Sequence, residues 1–433
     1  MYIHLKTGVV LVRGPKAFGI YDLNHGKFYR VNKEAGNLLL QSNQNIDLKK
    51  QKLKQFILDA QKKELLEIKE NIEKTGITNL ADVIHMTREL KFAWIELTGK
   101  CNQNCKHCFM GNDLNANPHY EKEKIFSYID YLISCGISQI ILTGGEPTLH
   151  PDIEQILDYI AQYDVDITLL TNGTTPRLPS LIPKLKDYGV KTKISILGIG
   201  KNHDEIVGLD GAFNKIKDII ELFINMNAPI KLGMTVCSLN IKDVDKVRDY
   251  ANQLKVHFEA SPIYPIGKAK FNHNELFKHT QEEYIKVCKK DKKRQIDIRE
   301  YTNTASRKIK TISPYDYEAV DLHNFLTDSF ECGQKIIAIL SNRKVTPCLL
   351  LRTDKYMMGN LLESRLDEIL EYDYPKRKEF NKMMKLSNIS GCKDCEALYI
   401  CKAGGCPAVT ESIYGDIKKK NPYFSSCYYS GEN

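Results

Sequence analysis

The chain has 433 residues, 27% charged and 42% hydrophobic, with a formal net charge of +8. That length predicts two to three domains, and the composition excludes a disordered or collagen-like chain. No apolar run approaches the roughly 20 residues that span a bilayer, and Met1–Gly8 does not read as a signal peptide, so the expectation is a cytoplasmic protein with no membrane partner.

Residues 1–75 read as a small α+β module. Val9–Arg13 is a short apolar strand. Phe18–Leu23 and Lys27–Val31 flank Asn24-His25-Gly26, a turn cluster suited to a hairpin. Asn32 caps the next helix, with Glu34 in its first turn and Leu38, Leu39 and Leu40 as its buried part. A second helix over 49–63 repeats Leu53, Phe56, Ile57 and Ala60 at helical spacing, and Leu65–Ile68 forms a final strand. Residues 70–90 read as a polar helical or linker segment.

From Lys91 strands and helices alternate. Apolar runs recur at Phe92–Leu97, Gln139–Thr143, Val165–Leu170, Lys191–Leu197, Ile230–Cys237 and Val256–Pro262. Helical patterns separate them, among them Lys122–Cys135, Pro151–Ala161, Ala212–Ile224 and Lys242–Leu254. The fold class expected is α/β: a parallel sheet of about six β/α units, a partial (β/α)6 TIM-like barrel over 91–270. Ligands of such sheets sit beyond the carboxyl ends of the strands. Two motifs fall there. Cys101-Asn-Gln-Asn-Cys105-Lys-His-Cys108 follows the first strand, and Thr143-Gly144-Gly145-Glu146-Pro147 ends the second.

Residues 271–330 are charged and weakly patterned, a bridging and mostly helical segment. Its run Lys289–Arg294 suits an anionic partner or a solvated helix face, and no nucleic-acid motif accompanies it, so no nucleic acid is expected as a partner. A cysteine-rich domain follows over 331–433. Its thiols are Cys332, Cys348, Cys392, Cys395, Cys401, Cys406 and Cys427.

The chain has 13 cysteines in all. Disulfides are rare in the cytosol, so clustered thiols point to metal ligands. Cys135, Cys237 and Cys288 stand alone and read as ordinary thiols. Three thiolates can hold three irons of a [4Fe–4S] cluster, which normally takes four cysteines, leaving one iron open to a small molecule. A zinc site would pair its thiols with a second pair or with histidines, and no equally spaced pair lies close to Cys101–Cys108.

The C-x₃-C-x₂-C spacing, with Gly144-Gly145-Glu146 one β/α unit later, resembles the radical S-adenosylmethionine (SAM) superfamily. The resemblance implies that Cys101, Cys105 and Cys108 bind a catalytic [4Fe–4S] cluster. It implies that Gly144 and Gly145 meet SAM through backbone, while Glu146 either accepts from its amine or braces the site. His107 would line the adenine pocket, or simply pack. Thr171-Asn172-Gly173 resembles the family's end of strand three, and Ser195 falls where a ribose or carboxylate contact is expected. The family often has an aspartate where this chain has Leu197. His203-Asp204, Gly208 and Gly211-Ala-Phe213 also resemble the family.

The second cysteine field resembles the SPASM domain, which carries auxiliary iron–sulfur clusters. Val345-Thr-Pro-Cys348 and Met358-Gly359-Asn360-Leu361 match its phrasing. Carried over, Cys392, Cys395, Cys401 and Cys427 would ligate an outer cluster. Cys332, Cys348 and Cys406 would hold an inner one. The chain departs from the pattern twice: Ser364 stands where the family usually has a cysteine, and one more residue than usual precedes Cys406. The inner cluster would therefore have an open iron, or be a [2Fe–2S] cluster.

Residues 1–75 resemble the PqqD-like peptide-recognition element of ribosomal-peptide maturases, on the phrase Tyr21-Asp-Leu to Phe28-Tyr-Arg-Val-Asn32-Lys-Glu-Ala. The resemblance implies a leader peptide added as an extra strand. Together these imply a radical SAM peptide maturase: a 5′-deoxyadenosyl radical takes hydrogen from a ribosomally made precursor peptide, and an oxidative thioether or carbon–carbon cross-link results. An external reductant such as flavodoxin or ferredoxin would supply electrons. Other readings are a formylglycine-generating maturase of folded proteins, a peptide epimerase, and a non-enzymatic iron–sulfur electron carrier.

Overall fold

The computed structural model describes residues 2–15, 17–40, 51–70, 90–116, 119–288, 320–321, 329–401 and 405–421. The expected 70–90 linker, the lysine run at 289–294 and Cys427 lie almost wholly outside them.

The N-terminal module comprises β1 (Tyr2–Leu5), β2 (Val9–Arg13), β3 (Phe18–Asp22), β4 (Lys27–Val31), α1 (Lys33–Leu40), α2 (Gln51–Lys62) and β5 (Leu66–Lys69). The hairpin and both helices form where the sequence places them. The Asn32 side chain accepts from the Ala35 N–H at 2.9 Å, capping α1. Leu38 and Leu39 are buried, but Leu40, at the end of the helix, is 49% exposed and lies off its buried stripe. The sequence reading missed β1, which pairs antiparallel with β5. Side chains of β2–β4 alternate between two faces, as the pleat requires. Phe18, Ile20, Tyr29 and Val31 pack on the module's own helices, while Val10, Tyr21 and Phe28 face the other way, toward Ala397.

The barrel strands are β6 (Phe92–Thr98), β7 (Gln139–Gly144), β8 (Asp166–Thr171), β9 (Lys191–Ser195), β10 (Ile230–Val236) and β11 (His257–Pro262). They pair parallel in that order. Between them run α3 (Lys122–Ser134), α4 (Ile153–Ile160), α5 (Leu178–Asp187), α6 (Lys201–Val207), α7 (Ala212–Asn225) and α8 (Val244–Gln253). One side of the sheet, for example Ile95, Leu142, Leu169, Ile194 and Leu232, is fully buried in one core with the helices. Each such side chain contributes about 1.5–3 kcal/mol by leaving water. The opposite side is more polar: on it Lys193 and Lys231 meet Glu259 at 2.6 and 3.1 Å.

The described residues of the bridging segment are mostly helical, as expected: short helices cover Lys268–Phe271 and His273–Leu276. A helix covers Gln281–Cys288, and β12 (Val320–Asp321) pairs antiparallel with β4 at Phe28 and Lys27. The C-terminal domain then joins the barrel's own sheet. Its β13 (Ile336–Ile339) pairs parallel with β6, opposite β7, and β14 (Lys344–Thr346) and β15 (Gly359–Asn360) extend it antiparallel. Nine strands thus form one sheet, β11-β10-β9-β8-β7-β6-β13-β14-β15.

Candidate functional site

The carboxyl ends of β6, β7 and β8 converge on the first cysteine motif, as strand order demands. The loop after β6 is held from three directions. Asn115 Oδ1 accepts the Cys101 N–H at 2.8 Å. The Asn104 and Lys106 N–H groups donate to the last-turn carbonyls of α6, Val207 at 2.9 Å and Ile206 at 3.0 Å. From the turn after β8, Asn172 Nδ2 donates to Asn102 Oδ1 at 2.8 Å, and Thr174 Oγ1 accepts from Asn102 Nδ2 at 2.9 Å.

Gly144 and Gly145 are glycines because the cysteine loop lies against them. A Cβ on Gly145 would run into the Lys100 carbonyl oxygen, and one on Gly144 into that of Thr98. The Gly145 N–H donates to Thr98 O at 2.9 Å and the Glu146 N–H to Lys100 O at 2.8 Å, stitching β7 to the loop. Glu146 is fully buried. Its Oε1 accepts from the Thr148 hydroxyl at 2.6 Å and N–H at 3.1 Å and from the Thr171 hydroxyl at 2.8 Å, while Oε2 accepts the Asn172 N–H at 2.7 Å. Burial pushes its carboxyl up, and those donors pull against the rise. Of its two expected roles, this geometry is that of a brace joining β7 to β8.

The three thiols sit close enough to feel one another's charge. Burial, the largest influence on each, pushes Cys101 up to about 11 and raises Cys105 and Cys108 as well. Cys105 packs against Leu197, Ile206 and Val207. Backbone donors nevertheless point at the sulfurs: the Gln103 N–H at Cys101 Sγ, 3.4 Å, and the Met110 and Gly111 N–H groups at Cys108. Such a set favours thiolates only beside a strong positive charge, which irons supply as they displace the protons. The donor set therefore fits an iron–sulfur cluster.

His107, within the loop, is half-buried, and burial and then the neighbouring His203 pull it down to about 4, so it is neutral at pH 7. Ser195 closes β9 opposite Gly233 with its side chain exposed. His203 and Asp204 have structural partners. His203 Nδ1 accepts the Leu197 N–H at 3.0 Å. The Asp204 carboxylate accepts the Gly211 and Phe213 N–H groups at 2.8 and 2.7 Å, at the start of α7.

In the second field, Cys332, Cys348 and Cys406 come together across 74 residues of sequence. A hydrogen bond shared with Cys348, and then burial, push Cys332 well above the usual thiol range; Cys406 is exposed as a residue, yet desolvation of its thiol and then Cys348 push it up to about 12. Ser364, which stands where the family usually has a cysteine, has its hydroxyl 3.2 Å from the Tyr374 hydroxyl. Cys392 is buried and Cys395 partly so, with the Ala397 N–H 3.5 Å from Cys395 Sγ. Cys401 ends a short helix, and its side chain, like Cys427, lies outside the described residues.

Sequence reasoning missed a bridge between the fields. Arg352, four residues past Cys348, reaches Glu96 Oε1 and Asp113 Oδ2, each at 2.8 Å. Asn102, Gln103 and Thr174 were also missed, although an Asn-rich loop beside three cysteines was their signal.

Residues 95–251 match the radical SAM superfamily, and residues 331–396 match SPASM, an iron-sulfur cluster-binding domain. The AdoMet-dependent heme synthase of Methanosarcina barkeri is 27% identical over 80% of this chain and 99% of its own. The antilisterial bacteriocin subtilosin biosynthesis protein AlbA of Bacillus subtilis is 26% identical over 64% of this chain and 58% of its own. Streptococcus suis SuiB, solved bound to its precursor peptide SuiA, shares the fold with a TM-score of 0.56 at 14% identity, over 98% of this chain and 99% of its own.

Proposed function

We propose, from the premise that a radical SAM domain and a SPASM domain make this chain a radical SAM enzyme, that it matures a ribosomally made precursor peptide by oxidative cross-linking. In this reading residues 1–75 recognise the leader, 91–270 form the radical SAM barrel, 271–330 bridge, and 331–433 carry the auxiliary clusters. Cys101, Cys105 and Cys108 would hold the SAM-binding [4Fe–4S] cluster. Cys332, Cys348 and Cys406 would hold an inner auxiliary cluster, and Cys392, Cys395, Cys401 and Cys427 an outer one. SAM would sit at the strand ends against His107, Gly144, Gly145, Asn172 and Ser195, with Glu146 fixing the backbone that meets it. When bound, these groups supply a hydrogen-abstracting 5′-deoxyadenosyl radical and an acceptor for the second electron, so the product would be lighter by two hydrogens.

The observation that carries the peptide reading is the N-terminal sheet. Among the described residues its strands end at β2 on one side and at the two-residue β12 on the other, leaving backbone edges for an added strand. The AlbA relative and the SuiB fold support it. The three-thiolate inner set favours a thioether over a carbon–carbon bond, because an open iron suits a substrate cysteine. An external electron donor of the flavodoxin or ferredoxin kind completes the scheme.

The test is the mass of a small peptide encoded beside the gene after anaerobic co-expression. A loss of two hydrogens that needs Cys101, Cys105 and Cys108 is expected. An unmodified peptide, with SAM still cleaved, would refute cross-linking. The heme synthase match favours a second reading, action on a small-molecule substrate, and the same outcome would raise it.

A further inference from the structure

Glu396 follows Cys395 directly, yet its bonds leave the cysteine field. Its carboxylate is completely buried, and Oε1 accepts from Arg30 Nε on β4 at 2.8 Å. The Arg30 side chain is itself only 10% exposed. The Glu396 backbone carbonyl accepts from the Tyr21 hydroxyl on β3 at 2.7 Å. The N-terminal sheet makes room for this: a Cβ on Gly14 would run into the Glu396 carboxylate, and one on Gly19 into its carbonyl oxygen. Around this pair, Val10, Tyr21 and Phe28 pack on Ala397 and touch Cys395 and Tyr399.

Removing one partner of a buried ion pair is costly, so loss of Arg30 would disturb the setting of Glu396. Cys395 is the adjoining residue, and it packs against the same N-terminal strands that hold the Glu396 carbonyl. We infer that Arg30, with Tyr21, is a positioning residue for the auxiliary-cluster loop at Cys395. The N-terminal module is then one wall of the cluster's housing as well as a reader of peptide. This rests on the reading that Cys392, Cys395 and Cys401 hold a cluster.

The experiment compares full-length Arg30→Gln, Arg30→Lys, Tyr21→Phe and Cys395→Ala proteins, reconstituted anaerobically. Iron content, the EPR spectrum of the reduced auxiliary clusters and SAM cleavage without peptide are measured. Arg30→Gln is expected to lose about one cluster's worth of iron or to change the auxiliary spectrum, with SAM cleavage kept. Arg30→Lys should restore the iron, and Tyr21→Phe should give a smaller spectral change. Wild-type iron and spectra in Arg30→Gln, while Cys395→Ala loses iron, would overturn the inference. Full iron in Cys395→Ala would instead overturn the cluster assignment beneath it. If Arg30→Gln does not fold, Tyr21→Phe decides, and an unchanged spectrum there counts against the inference.

Discussion

Replacing Arg352 by methionine tests the joint between the barrel and the C-terminal domain. The guanidinium is 8% exposed and lies between Glu96, 0% exposed, and Asp113, 28% exposed. Glu96 Oε2 also accepts from the Ser341 N–H and hydroxyl at 2.9 and 3.1 Å, so the variant would leave a buried carboxylate held by one residue alone. Breaking a buried pair by removing one partner costs about 3–5 kcal/mol. Removing both charges, in Glu96→Gln/Arg352→Met, should recover about 2 kcal/mol of that, a clear departure from additivity. The assay is built in. The chain's single tryptophan, Trp94, lies on β6 and packs with Phe109, Leu340 and Leu349 at this joint. Its fluorescence during urea unfolding reports the joint directly. A loss below about 1 kcal/mol in Arg352→Met, or strictly additive variants, would refute the reasoning.

Gly145→Ala should force the Glu146 N–H off Lys100 O, at an overpacking cost of about 1–3 kcal/mol or more, and lower both iron content and SAM cleavage. Wild-type cleavage in that variant would contradict the close approach. His203 is buried and its folded pKa is pulled down to about 4, so the unfolded chain takes up this proton first as pH falls. Stability is then full above about 6.5 and falls between 6.5 and 4, by about 2 kcal/mol at pH 5. Thermal melts at pH 7 and pH 5 should show the loss, and His203→Asn should remove that share of it. An equal pH dependence in both proteins would exclude His203 as its source. Cys392, Cys395 and Cys401 changed together to alanine should leave the Cys332, Cys348 and Cys406 set with an EPR signal that shifts when a small thiol is added. Insensitivity to the thiol would rule out an open iron.

The barrel strands could be read from the sequence because a parallel strand packed under helices needs a near-continuous apolar run. The cysteine motif could be read because ligand spacing is local. Helix α5 was not among the helical patterns singled out in the sequence; it carries Pro179 in its first turn, where no N–H is needed, and Pro183 inside it. Helix α6 is seven residues long, too short for a periodic signal, although its carbonyls hold the cysteine loop. Arg352 with Glu96 and Arg30 with Glu396 were invisible for a different reason. Each joins residues more than 200 positions apart, and nothing local in a charged side chain names a distant partner.

The pairing of β13 with β6 has a consequence for synthesis. Phe92 leaves the ribosome about 240 residues before Ile336, its strand partner. At about 5–20 residues per second, the outer edge of β6 waits roughly 12–50 seconds for its neighbour. During that time the growing chain presents an unpaired edge, a template for pairing with other chains. A protein ended before residue 336 would keep that edge permanently. The barrel is therefore expected to need its C-terminal domain to stay monomeric, before any cluster is loaded.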